Sequence, residues 1–189
     1  MRLVVATRNT GKRRELAGLL APHELEPLPD DIQLPPETSD TFTENALIKA
    51  RAAAAATGRP TIADDSGIEA QALRGAPGVR SARYAGEHAT DAENLAKLLR
   101  EAPPGSAVAY VCVLALVDPA RDVERVFEGR CTGTLAAQPR GEGGFGYDPA
   151  FLPDEFPDRT MAQLAPAEKD TISHRGRAAR ELSAWLRSG

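Results

Sequence analysis

Strand-type and helix-type segments alternate along this chain without internal repeats, low-complexity tracts or a long linker, which restricts it to a mixed α/β fold. Leu3 to Ala6 reads as a buried strand. Lys12 to Leu20, with Leu16, Leu19 and Leu20 on one stripe, reads as a helix, and a polar loop joins the two. The next helix carries the strongest signals: Thr41 and Glu44 fit a capping box, Ala46, Leu47 and Ala50 give an apolar face, and Gly58 before Pro60 stops it. Asn45 and Lys49 share a face of that helix. Thr61 to Ala63 predicts a short strand that delivers Asp64 and Asp65 to its C-terminal end, where ligands sit in open α/β sheets. Thr90 and Glu93 form a second capping box before Leu95, Leu98 and Leu99. Ala107 to Val117 and Val123 to Ala137 predict a hairpin, and a last helix runs from His174 or Arg175 to Leu186.

At 189 residues and 42% hydrophobic, residues 1–189 can form a single domain, or two small lobes, with an ordinary core. A formal net charge of -4 gives no footprint for duplex nucleic acid or an anionic membrane, and leaves a small anionic ligand open. No apolar run approaches the roughly 18 residues of a spanning helix, so a soluble, cytoplasmic protein with no membrane partner is expected. Cys112 and Cys131 lie in strand-like segments without CxxC or Cys/His spacing and read as reduced core thiols.

Four stretches carry polar chemistry. In TIADDSG, Asp64 and Asp65 repel each other unless a cation or a proton-transfer task holds them. They could bind Mg2+ with Glu37 as a further oxygen ligand, or form an Asx-type turn before Ser66 and Gly67. Ser66 lacks a GxSxG elbow and reads as a ligand donor. TRNTGK is no Walker loop, since Ala6 and Arg13 stand where glycine and Ser/Thr are needed. Thr7, Asn9, Thr10, Gly11 and Lys12 could still cradle a phosphate, or simply cap a helix. Gly141, Gly143 and Gly146 spell GxGxxG, but Pro149 and Pro153 follow where a Rossmann unit needs a helix. That loop offers Phe145 and Tyr147 to cover a planar base, or returns them to the core. Lys169, His174 and Arg175, taken singly, read as surface charge.

Taken in order, TRNTGK, TFTENALIKA, ADDSG, GAPGVRSARYAG, GGFGYDP and SHRG resemble the inosine/xanthosine triphosphate pyrophosphatase family, from Thr7 to Arg175. The resemblance implies a mixed central β-sheet flanked by helices, two lobes with a ligand cleft between them, and a homodimer. It implies Mg2+-dependent hydrolysis of ITP, dITP and XTP to the monophosphate and pyrophosphate. On it, Thr7, Arg8, Asn9, Thr10, Gly11 and Lys12 form the triphosphate loop, although Arg8 stands where many relatives have glycine. Asp65 becomes the proton acceptor and a metal ligand, Glu37 and Asp64 supporting acids around the metal, and Lys49 a phosphate contact, so that Asp65, Lys49 and Lys12 carry the catalysis. Ser66 becomes a substrate contact, Phe145, Gly146, Tyr147 and Asp148 the base-pocket loop, and Lys169, His174 and Arg175 the groups that read the purine. A pyrophosphatase preferring modified pyrimidine or ordinary nucleotides, a nucleotide sensor without turnover and an α/β interaction protein are the rival readings.

Overall fold

Asn9 sets the first helix. In the computed structural model, which describes residues 1–188, its side chain accepts from the Lys12 N–H and caps α1 (Thr10–Leu19) two residues earlier than Lys12 suggested. α2 (Phe42–Thr57) starts at Thr41, whose hydroxyl accepts from Glu44 N, while Thr41 N donates to Ser39 Oγ at 3.2 Å. Ser39 thus supplies the half of the expected box that Glu44 does not. Gly58 ends the helix at φ 66°, a left-handed position that suits glycine. Both bonds of the Thr90–Glu93 box are present at the start of α3 (Asp91–Glu101). α4 (Pro166–Ile172) and α5 (His174–Ser188) close the chain. No described helix is long and apolar enough to cross a membrane.

The sheet has six strands in the order β2-β1-β3-β4-β5-β6: β1 Arg2–Val5, β2 Glu24–Pro27, β3 Thr61–Ala70, β4 Ala107–Asp118, β5 Val123–Leu135 and β6 Phe151–Pro153. β1 pairs parallel with both β2 and β3, with α1 as the crossover to β2, and β5 pairs antiparallel with β6. The sheet is therefore mixed, as expected.

β3 corrects one expectation. It does not stop at Ala63 but continues through Asp64, Asp65, Ser66 and Gly67, so the two acids lie inside the strand and not at its C-terminal end. Gly67 is not a turn residue. A side chain there would collide with Gly78 O and Ser81 Oγ, so its role is close packing. The Asx-turn alternative falls with it.

The chain divides into two units, each with its own core. The first comprises residues 1–65 and 112–129 and the chain from Arg175 onward. Leu3, Leu16, Leu20, Ile62, Leu114 and Leu182 pack together there, joining α1 and α5 to β1, β3 and β4. The second comprises residues 66–111 and 130–174, where Ile68, Leu98, Tyr110, Leu135, Phe151 and Met161 form the core. Cys112 and Cys131 are buried thiols, one in each unit, as the sequence suggested.

Candidate active site

Successive side chains of a strand point to opposite faces, and β3 uses this to separate its two acids. Asp64 shares the face of Ile62, which packs in the core with α1 and α5. Its carboxylate lies 3.0 Å from Lys12 Nζ of α1 and 3.4 Å from Arg175 Nη2 of α5. The Arg175 guanidinium also pairs with Glu15, one helical turn beyond Lys12. Asp65, on the other face, answers to α2: Lys49 Nζ stands 3.8 Å from its Oδ1, and Asn45 hydrogen-bonds to it. Lys49 also donates to Glu37 and, at 2.6 Å, to the Asp64 carbonyl oxygen. The adjacent carboxylates thus make separate cationic contacts, although the Lys49 charge also acts on Asp64.

The acids differ in charge behaviour. Burial alone would raise the Asp64 pKa, but Lys12, Arg175 and Lys49 outweigh it and hold the carboxyl well below its usual range. For Asp65 burial prevails: desolvation pushes its pKa up to about 6, Glu37 adds to the rise, and Lys49 only partly opposes it. Burial disfavours the Lys49 ammonium, but Asp64, Glu37 and Asp65 more than compensate and raise its pKa. Asp65 is therefore an acid poised to exchange a proton near neutrality beside a lysine that stays charged.

Glu37 and Asp65 offer hard carboxylate oxygens of the kind Mg2+ prefers, and they fit such an ion. Asp64, the third expected ligand, has one carboxylate oxygen, Oδ2, engaged by both Lys12 and Arg175. No group of three or more His, Cys, Asp or Glu side chains suited to holding a metal occurs among the described residues. That donor set is open rather than a closed cage. It suits an ion that takes one or two protein carboxylates and fills its shell from substrate phosphates and water.

In the TRNTGK loop, Thr7 Oγ1 accepts from Asn9 N at 3.2 Å and Asn9 caps α1, so both side chains shape the loop. Thr10 and Gly11 occupy the first helical positions, where backbone N–H groups can meet an anion. Arg8 departs from the expected phosphate contact: its guanidinium donates to the Leu28, Pro29 and Ile32 carbonyls and to Asp30. Five donors in a planar fork favour clustered oxygens, and the chain itself supplies them here.

The second unit holds a separate cluster. Asp148, 3% exposed, accepts from Tyr110 Oη at 3.1 Å, Phe145 N at 3.0 Å and Lys169 Nζ at 2.8 Å. Lys169 Nζ also lies 5.1 Å from the centre of the half-buried Phe145 ring. The His174 ring stacks on Tyr110 at 4.6 Å, and Tyr110 stacks on Phe151 at 4.5 Å. Gly144, at φ 72°, admits no side chain, because a Cβ would fall on the Asp148 carboxylate. Gly146 N donates to Asp91 of α3 at 2.8 Å, and Tyr147, which is buried, donates its hydroxyl to Ser81 O.

The structure thus gathers Lys12, Lys49, Glu37, Asp64 and Asp65 in one cluster, and Phe145, Asp148, Lys169 and His174 in another. Beyond Arg8 and Asp64, two more expectations change. Tyr147 rejoins the core and does not present its ring, and Arg175 belongs to the first cluster, where its buried guanidinium neutralises Asp64 and Glu15. Ser66 is half-buried in β3, the first residue of the second unit. Glu15, Tyr110 and Asp91 were not anticipated. Of these only Glu15 had a local signal, its spacing of three from Lys12.

The sequence profile of the Ham1 family matches residues 3–185. A dITP/XTP pyrophosphatase of Frankia alni is 50% identical, over 99% of this chain and 98% of its own. A dITP/XTP pyrophosphatase of Geobacillus kaustophilus is 51% identical, over 95% of this chain and 91% of its own. Among solved structures, a HAM1 protein from Coxiella burnetii superimposes with a TM-score of 0.89 at 41% identity over the whole of both chains. With nearly its full length matched by the profile, this chain belongs to the Ham1 family.

Proposed function

We propose that this protein hydrolyses the deaminated purine nucleotides ITP, dITP and XTP to the monophosphate and pyrophosphate, with Mg2+. The names of its relatives support the reaction. The observation that carries it is the pairing of two lysines, Lys12 and Lys49, with the adjacent acids of β3. A triphosphate brings about four negative charges, and its hydrolysis depends mainly on positioning and charge neutralisation.

Asp65 accepts the proton of the attacking water, as the carboxylate that β3 holds beside Lys49. Lys12 and the backbone N–H groups of Thr10 and Gly11 bind the phosphates, and Lys49 offsets the charge that develops on them. Glu37 and Asp65 would hold the Mg2+, which when bound polarises the phosphoanhydride. Asp64 acts as the buried anion that fixes Lys12 in place. In the second unit, Phe145 covers the base, and Lys169 and His174 supply donors for a 6-carbonyl. An adenine amine would face donors with nothing to accept them, a mismatch able to discriminate by about 10⁴. The working form is taken to be a homodimer in the cytoplasm, and light scattering should give twice the mass of one chain.

A panel of ITP, dITP, XTP and ATP, with and without Mg2+, tests the reaction. Pyrophosphate should appear with the first three only, and only with the metal. Orthophosphate as the product, or equal rates with ATP, would overturn it.

A further inference from the structure

Arg8 spends its side chain on a single short stretch of chain. Nη1 donates to Leu28 O at 3.0 Å and to Asp30 Oδ1 at 3.2 Å, and Nη2 donates to Pro29 O and Ile32 O, both at 2.8 Å. No helix or strand covers residues 28–41, so these carbonyls lie outside any ladder, although Pro29 O also accepts from Ile32 N at 3.2 Å. At the other end of the stretch, Asn45 of α2 grips Ser39 from both sides: Ser39 N donates to Asn45 Oδ1 at 3.0 Å, and Asn45 Nδ2 donates to Ser39 O at 3.1 Å. Glu37 lies between these two tethers, where it pairs with Lys49 and raises the Asp65 pKa.

We propose that Arg8 is a positioning residue, a latch that ties residues 28–32 to the TRNTGK loop and so keeps Glu37 at Lys49 and Asp65. The chemistry explains why arginine serves. A rigid planar fork can satisfy four oxygens spread over five residues, whereas a lysine ammonium offers three donors from one point. The Arg8 backbone sits between Thr7 and Asn9, whose side chains order the start of α1. One residue therefore joins the segment that binds phosphate to the segment that carries the acid.

The test compares the unmodified protein with Arg8→Ala and Arg8→Lys. Amide hydrogen exchange, read without ligand, should accelerate about tenfold over residues 28–37 in both variants and stay unchanged in α2. The second arm rests on the function proposed above. The half-saturating Mg2+ concentration should rise about fivefold, while KM for ITP at saturating Mg2+ stays within about twofold. Unchanged exchange in Arg8→Ala would overturn the latch, as would Arg8→Lys exchanging like the unmodified protein. Faster exchange with an unaltered Mg2+ requirement would overturn the link to Glu37. If the unmodified protein releases no pyrophosphate, the proposed function fails and the exchange arm alone decides the latch.

Discussion

Asp64 and Asp65 are consecutive in β3 yet answer to different cations: Lys12 lies 3.0 Å from the first carboxylate, and Lys49 lies 3.8 Å from the second. Strand alternation makes one an anchor and the other a titrating acid.

Asp65→Asn should lower kcat by about 10²-fold or more while nucleotide still binds, as isothermal titration and pyrophosphate release would record. The same change should stabilise the metal-free protein. Burial raises the folded-state pKa of Asp65 to about 6, so ionising it costs stability as pH rises from the unfolded carboxyl's value toward 6. The variant should therefore gain on the order of 2 kcal/mol at pH 7, with the difference shrinking through about pH 4 and vanishing below about pH 3 in calorimetric scans with a chelator.

Lys49→Met removes the cation that restrains the Asp65 pKa. The acid limb of the kcat/KM profile should move to higher pH, and kcat/KM at pH 7 should fall by about 10²-fold. An unmoved limb would assign that titration to another group.

Arg175→Met should act on folding before it acts on base choice. It takes one cation from Asp64 and the same guanidinium from Glu15, and breaking a buried pair costs about 3–5 kcal/mol. A large drop in thermal midpoint is expected. Where the folded fraction can be assayed, the ITP-to-ATP ratio should change little.

Gly144→Ala should do the reverse. The new methyl displaces the Asp148 carboxylate and forces a side chain onto a left-handed backbone, at a cost of about 1–3 kcal/mol. Asp148 positions Phe145 N and Lys169, so the ITP-to-ATP ratio should fall at least about tenfold.

Local chemistry made the helices legible: Thr41, Thr90 and Gly58 announce caps within a few residues, and the structure keeps all three. Elements governed by distant partners were less legible. Ser66 and Gly67 look like turn residues until Ser81 and Gly78 close in on the glycine and show a packed strand. β2, with exposed Glu24, a half-buried Glu26 and a terminal Pro27, has no apolar pattern and exists because β1 pairs with it. The grouping of the candidate residues followed the same division. Lys12, Lys49 and Asp65 were identifiable because their motifs are short. The Asp148 cluster needs Tyr110, 38 residues earlier, and Arg175 finds Glu15 from 160 residues away, separations that no local pattern encodes.

Cys112 lies fully buried at the heart of the first core, where desolvation pushes its thiol up to about 12. At neutral pH roughly one molecule in a hundred thousand would carry the reactive thiolate. Peroxide and electrophiles thus find almost no nucleophile at this sulfur, and a cell under oxidative attack would not inactivate the protein through it.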